Sequence, residues 1–142
     1  MAEAEYFIIP ENIRSFENIN IPLNITHVDC SNRQFTSFIG CPDHITHLRC
    51  FDNRITSFEH LPNSITSINC SYNQITSFEH LPNSITKLYC SFNQITSFEY
   101  LPNSLTILYC SNNPCYPIYQ ELGLNGIHEQ NNIPEIKEPD CD

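Results

Sequence analysis

The chain has 142 residues, enough for one domain with its own core, and its 40% apolar and 11% aromatic content excludes a disordered polypeptide. Sixteen acidic against six basic residues give a net charge of −10, which excludes a binder of phosphate backbones and favours solubility and a basic protein partner. No stretch approaches the roughly 20 apolar residues of a bilayer span, so no membrane is expected, and the start MAEAEYFIIPEN lacks the basic region of a secretory leader. The expected location is therefore the cytoplasm. Three glycines make left-handed backbone expensive, so tight hairpins are expected to be rare, while ten prolines favour extended segments.

Residues 1–24 read as a capping turn. Tyr6, Ile8, Ile13 and Phe16 reproduce the spacing of apolar positions found later in the chain, with Glu11 where those later turns carry asparagine. A two-residue insertion before Pro22 then resets the phase.

Residues 25–124 are five repeats of twenty residues. Cys30, Cys50, Cys70, Cys90 and Cys110 recur without a slip, and Leu61–His80 matches the next twenty residues at 15 of 20 positions. Five residues before each cysteine stand Ile25, Ile45, Ile65, Ile85 and Leu105. Two before stand Val28, Leu48, Ile68, Leu88 and Leu108. Three after stand Arg33, Asn53, Asn73, Asn93 and Asn113. Alternation around the cysteine has period two, the mark of a short strand with one buried face. Such a strand cannot bury that face alone, so successive turns must stack into a parallel sheet. The return half, T-S-F-E-x-L-P-N-S, supplies a column of Phe38, Phe58, Phe78 and Phe98 and a second of Leu61, Leu81 and Leu101 with Cys41. Twenty residues leave no room for a full convex helix, and Pro42, Pro62, Pro82 and Pro102 forbid one locally.

The motif I-x-x-L-x-C-x-x-N-x-I resembles the leucine-rich repeat, with cysteine in its third apolar position, over about 100 residues. The resemblance implies that each asparagine turns inward and hydrogen-bonds the backbone of neighbouring turns as a ladder, from which Arg33 departs. It implies a repeat solenoid with a short-stranded parallel concave sheet, a largely extended or 3₁₀ convex side and little helix. In turn length and in its cysteine-bearing phrasing the chain is similar to the repeat proteins of large amoeba-infecting DNA viruses of the Marseillevirus type, and more distantly to bacterial effector repeats. That likeness would place it in the host-cell cytoplasm or the virion.

The chain closes with Pro117–Leu122 ahead of Gly123, which reads as one short helix with a glycine stop, and residues 125–142 read as an acidic tail. Cys115 and Cys141, near this end, are the cysteines expected to be most reactive.

The frame carries no chemistry, so function is sought where the repeats differ. No serine–histidine–carboxylate set, glycine-rich phosphate loop or basic stripe appears; no catalytic residue and no cofactor are expected. The ruler cysteines fall in buried apolar positions and read as packing, since zinc sites use close cysteine pairs. On the concave face, the position before each cysteine reads Asp29, Arg49, Asn69, Tyr89, Tyr109, and two earlier it reads His27, His47, Ser67, Lys87, Ile107. Two past the cysteine it reads Asn32, Asp52, Tyr72, Phe92, Asn112. The candidate binding set is therefore Tyr72, Tyr89, Phe92 and Tyr109 in the second half, with His27, His47, Asp29 and Arg49 in the first. Clustered exposed Tyr and Phe favour a protein or peptide partner. The chain itself would be a monomer or weak dimer, with assembly through the same face as the alternative. A metal-dependent activity at His27 and His47 is the weaker third reading, because no third ligand stands beside them.

Overall fold

The computed structural model describes residues 5–132. The chain winds as a β-solenoid around one parallel sheet, in which β1 (Phe7–Ile8), β2 (His27–Asp29), β3 (His47–Arg49), β4 (Ser67–Asn69), β5 (Lys87–Tyr89) and β6 (Ile107–Tyr109) lie in sequence order. From β2 onward every strand pairs with the residues twenty further on: Val28 with Leu48, Leu48 with Ile68, Ile68 with Leu88, and Leu88 with Leu108. The strict twenty-residue period of the sequence is thus the register of the sheet.

Each strand has a buried central residue flanked by outward neighbours, because successive side chains on a strand point to opposite faces. The central residue, the ruler cysteine and the following Phe35, Ile55, Ile75, Ile95 or Cys115 fill the strand half of the core. Phe38, Phe58, Phe78 and Phe98 fill the convex half as a buried spine.

The convex side contains turns and no helix. Leu61 donates its N–H to Phe58 O at 3.1 Å and Ile65 donates to Pro62 O at 3.2 Å, two consecutive β-turns that recur in later repeats. The first has φ of 68° at His60, 68° at His80 and 69° at Tyr100, the left-handed residue a type II turn requires. Glycine occupies that position only at Gly40, where an added Cβ would lie 3.1 Å from backbone atoms of Phe16 and Glu17. With so few glycines the chain still uses left-handed backbone at nine non-glycine residues among those described, once or twice in every turn.

The asparagine ladder forms. Asn53 Nδ2 donates to Cys30 O and Cys50 O at 3.0 Å each, while its Oδ1 accepts the N–H of Phe35 at 2.9 Å and of Arg33 at 3.0 Å. Asn73, Asn93 and Asn113 repeat the two donated bonds and accept one N–H each, from Ile55, Ile75 and Ile95. Arg33 begins the ladder as a donor only: its Nε donates to Ile9 O and its Nη1 to Ser31 O, both at 3.0 Å. The guanidinium thus supplies the donors that an amide supplies in later turns.

The strand of the N-terminal turn is shifted by one residue from the spacing predicted by sequence. Phe7, not Tyr6, pairs with Val28, and Ile9, not Ile8, is the fully buried residue, while Ile8 is 66% exposed. A one-residue slip turns every strand side chain to the other face. The offset to the next turn is 21 residues at β1 and 20 at Pro22, whose carbonyl accepts the Ile25 N–H as Pro42 accepts Ile45. The net insertion between β1 and Pro22 is therefore one residue, while Phe16 keeps the buried place expected of it.

The C-terminal end also differs from expectation. The element α1, Tyr116–Asn132, is two helices joined at Gly123, whose φ of 66° and ψ of 173° are not helical: the first ends at the glycine as expected, and a second follows where a tail was expected. Beyond the kink Ile127 is buried in the core, His128 Nε2 donates to Leu105 O at 3.0 Å, and Asn131 Nδ2 donates to Phe98 O at 2.9 Å. Ser64 and Ser84 cover Ile45 O and Ile65 O in internal turns, so His128 takes the place of the serine that a further turn would provide. Residues 125–132, assigned by sequence to a tail, form this cover; residues 133–142, including Cys141, lie outside the described residues.

Candidate functional site

The parallel register brings each set of outward residues into a row across the strands. In the row before the cysteines, Asp29 pairs with Arg49, Arg49 with Asn69, Asn69 with Tyr89, and Tyr89 with Tyr109. Two residues earlier His27 pairs with His47, His47 with Ser67, Ser67 with Lys87, and Lys87 with Ile107.

In the first half, the rings of His27 and His47 stack with centroids 4.0 Å apart and 7° between planes. Their Nδ1 atoms lie 2.8 Å from Thr26 Oγ1 and Thr46 Oγ1. Burial, then the neighbouring His27 and Lys87, lower the His47 pKa below its ordinary value. Parallel stacked imidazoles point their free nitrogens side by side, not toward one point, and zinc needs convergent ligands at about 2 Å. Among the described residues no group of three or more His, Cys, Asp or Glu is placed to hold a metal. Arg49 lies over the ring of Tyr6, its guanidinium carbon 3.7 Å from the centroid, and Tyr6 meets His27 edge-on at 5.2 Å. These residues, with Lys87 and Tyr89, line a hollow of about 450 Å³. Asp29 turns instead to its own loop, where Oδ1 accepts the Ser31 N–H at 2.9 Å.

The second half is aromatic. Tyr89 and Tyr109 stack at 5.0 Å and Tyr72 and Phe92 at 4.4 Å, each pair with 7° between ring planes. Tyr72, Phe92 and Tyr109 are exposed, and Tyr89 is half-buried. Tyr72 and Phe92 also have left-handed backbone, at φ 59° and 58°.

Tyr6 was missed as a surface residue because its register was misassigned. The signal was present: Asn12 stands three residues after Ile9, as the ladder asparagines stand after their cysteines. Lys87 was visible in its row, but its place on the hollow shared with His47 and Arg49 depends on the sheet.

The cysteines lie inside. Cys30, Cys50, Cys70, Cys90, Cys110 and Cys115 are buried, and burial pushes the Cys50, Cys70 and Cys90 thiols up. Cys41, half-buried, is pushed up to about 12 by burial. The side-chain hydrogen bond with Cys115, then burial, raises Cys110. The same hydrogen bond lowers the Cys115 pKa, but Cys115 has no solvent exposure, so the folded chain gives a reagent no access to this thiol.

Among the described residues no helix is long and apolar enough to cross a membrane. No curated protein matches the chain. Residues 72–113, which hold β5, β6 and the aromatic half of the concave face, match the family model of the FNIP repeat, a leucine-rich-repeat-like unit.

Proposed function

We propose that the protein is a non-enzymatic binding module that holds a protein or peptide partner on its concave face. The matched repeat is of a family not known to be catalytic. The observation that carries the reading is the backbone under Tyr72 and Phe92. Their position is left-handed in all five turns, and its other occupants are Asn32, Asp52 and Asn112. Asparagine and aspartate tolerate that conformation, whereas a bulky residue there costs about 1–2 kcal/mol. The stacked pair returns about 1 kcal/mol through ring contact, less than two strained positions cost. Bulky left-handed residues also stand on the convex side, at His60, His80 and Tyr100. Among the described residues, however, only Tyr72 and Phe92 of this set stack on each other, which joins the strain to an exposed aromatic platform suited to a partner.

The test is affinity purification from the producing cells with native chain, Tyr72→Asn/Phe92→Asn and Tyr89→Ala/Tyr109→Ala. Both double variants are expected to lose the partner. The asparagine pair should melt at the native temperature or a few degrees above it. A melting point lowered by more than about 5 °C would make the rings structural, and a partner retained at full affinity by both variants would sink the proposal. Light scattering separates an external partner from a second copy, since self-association raises the mass with concentration.

A further inference from the structure

The overall charge of −10 points toward a basic partner, but the lining of the hollow on the concave face has the opposite local sign. Only six residues of the chain are Lys or Arg, and Arg49 and Lys87 both line the one hollow with His27 and His47. The ion pairs among the described residues are His60 with Glu59 and His80 with Glu79; Arg49 and Lys87 form none there, and Asp29, opposite Arg49 on β2, turns its carboxylate to the Ser31 N–H. The Arg49 guanidinium makes no hydrogen bond among the described residues either, although the backbone carbonyl accepts the Cys30 N–H. Stacking on Tyr6 holds its plane while leaving the N–H edge without an acceptor. At physiological salt, charges more than about 8 Å away are largely screened, so a ligand in the hollow responds mainly to these cations and less to the acidic remainder.

We infer that the hollow binds a carboxylate of an extended acidic peptide, whose apolar side chain three residues away rests on the Tyr89 and Tyr109 rings. The inference rests on the concave face being a binding surface. The spacing comes from the sheet. Arg49, Asn69 and Tyr89 occupy one row on β3, β4 and β5, so two strand spacings of about 4.8 Å separate the guanidinium from the first ring. An extended peptide crossing the strands covers that distance, about 10 Å, in about three residues. Arg49 presents the planar fork that a carboxylate fits, and Lys87 adds a second, mobile charge from β5. Tyr89 lines the hollow and stacks on Tyr109, so the charged and aromatic contacts are continuous. A polyanion such as a nucleic acid would extend beyond the hollow into the field of a strongly acidic protein.

The test pans a phage-displayed random peptide library on the native chain, then measures the synthetic consensus peptide by fluorescence anisotropy. The expected consensus has Asp or Glu three residues from an aromatic or large aliphatic residue. Replacing that acid by its amide, or using Arg49→Gln/Lys87→Gln, should weaken binding about tenfold or more. A consensus with aromatics but no acid preference overturns the inference while leaving the concave binding surface intact. No enrichment at all, or binding unchanged in Tyr89→Ala/Tyr109→Ala, overturns the binding surface itself. A single-stranded oligonucleotide that competes as well as the peptide overturns the peptide assignment. If Arg49→Gln lowers the melting point, Lys87→Gln alone, at an exposed position, carries the comparison.

Discussion

Asn73 accepts the backbone N–H of Ile55 at 2.9 Å, so a side chain of one turn closes the backbone of the turn before it. Its amide meanwhile donates to Cys50 O and Cys70 O at 3.0 Å each. Asn73→Ala leaves the buried Ile55 N–H without a partner, while Cys50 O and Cys70 O keep the amides of Asn53 and Asn93. The expected loss is about 2 kcal/mol, or roughly six degrees in melting temperature. Circular dichroism melts measure it, and hydrogen exchange should show the Ile55 amide losing protection. A loss below about 1 kcal/mol would mean that water enters and replaces the ladder.

His47 predicts a pH dependence of stability. Burial and the neighbouring His27 and Lys87 lower its pKa in the folded chain. The unfolded chain then binds more protons than the folded one as pH falls toward and below 6.5, so this contribution to stability is present at higher pH and lost on acidification. The side chain is half-buried and partly screened by solvent, and the effect is correspondingly small. His47→Gln should flatten the melting temperature against pH between about 5 and 8. A ring titrating by NMR at or above its ordinary value would refute the assignment.

Thiol accessibility tests the interior. Cys30, Cys50, Cys70, Cys90, Cys110 and Cys115 should resist alkylation until the chain unfolds. For Cys41, a pKa of about 12 leaves roughly one thiolate in ten thousand at pH 8, and its labelling should rise steeply with pH. Peptide mapping of native protein treated with iodoacetamide reads this residue by residue. Labelling of Cys70 as fast as a free thiol would contradict a closed core.

Much of the frame was legible because solenoid stacking converts sequence period into spatial register. The twenty-residue spacing of Cys30 to Cys110 becomes the pairing of β2 to β6, and the phenylalanine column becomes the buried spine. Where the period fails, so did the reading. At β1 a single insertion shifted the register and placed Tyr6 inside instead of beside Arg49. At the other end Gly123 stops the short helix as its neighbours suggest, but a second helix follows it, because Ile127 and His128 find apolar contact and an open carbonyl on the last turn. Local signals carry no information about such a surface.

By itself the sequence determined the solenoid, its period, its buried columns and its asparagine ladder, because each follows from local alternation repeated in phase. Only the tertiary structure decided how the ends are covered, which backbone positions are left-handed, and which variable side chains meet. The left-handed backbone under Tyr72 and Phe92, and the meeting of Arg49 and Lys87 in one hollow, arise from the stacking of turns twenty residues apart. Strain and charge balance depend on neighbours in space, and those exist only once the turns have stacked.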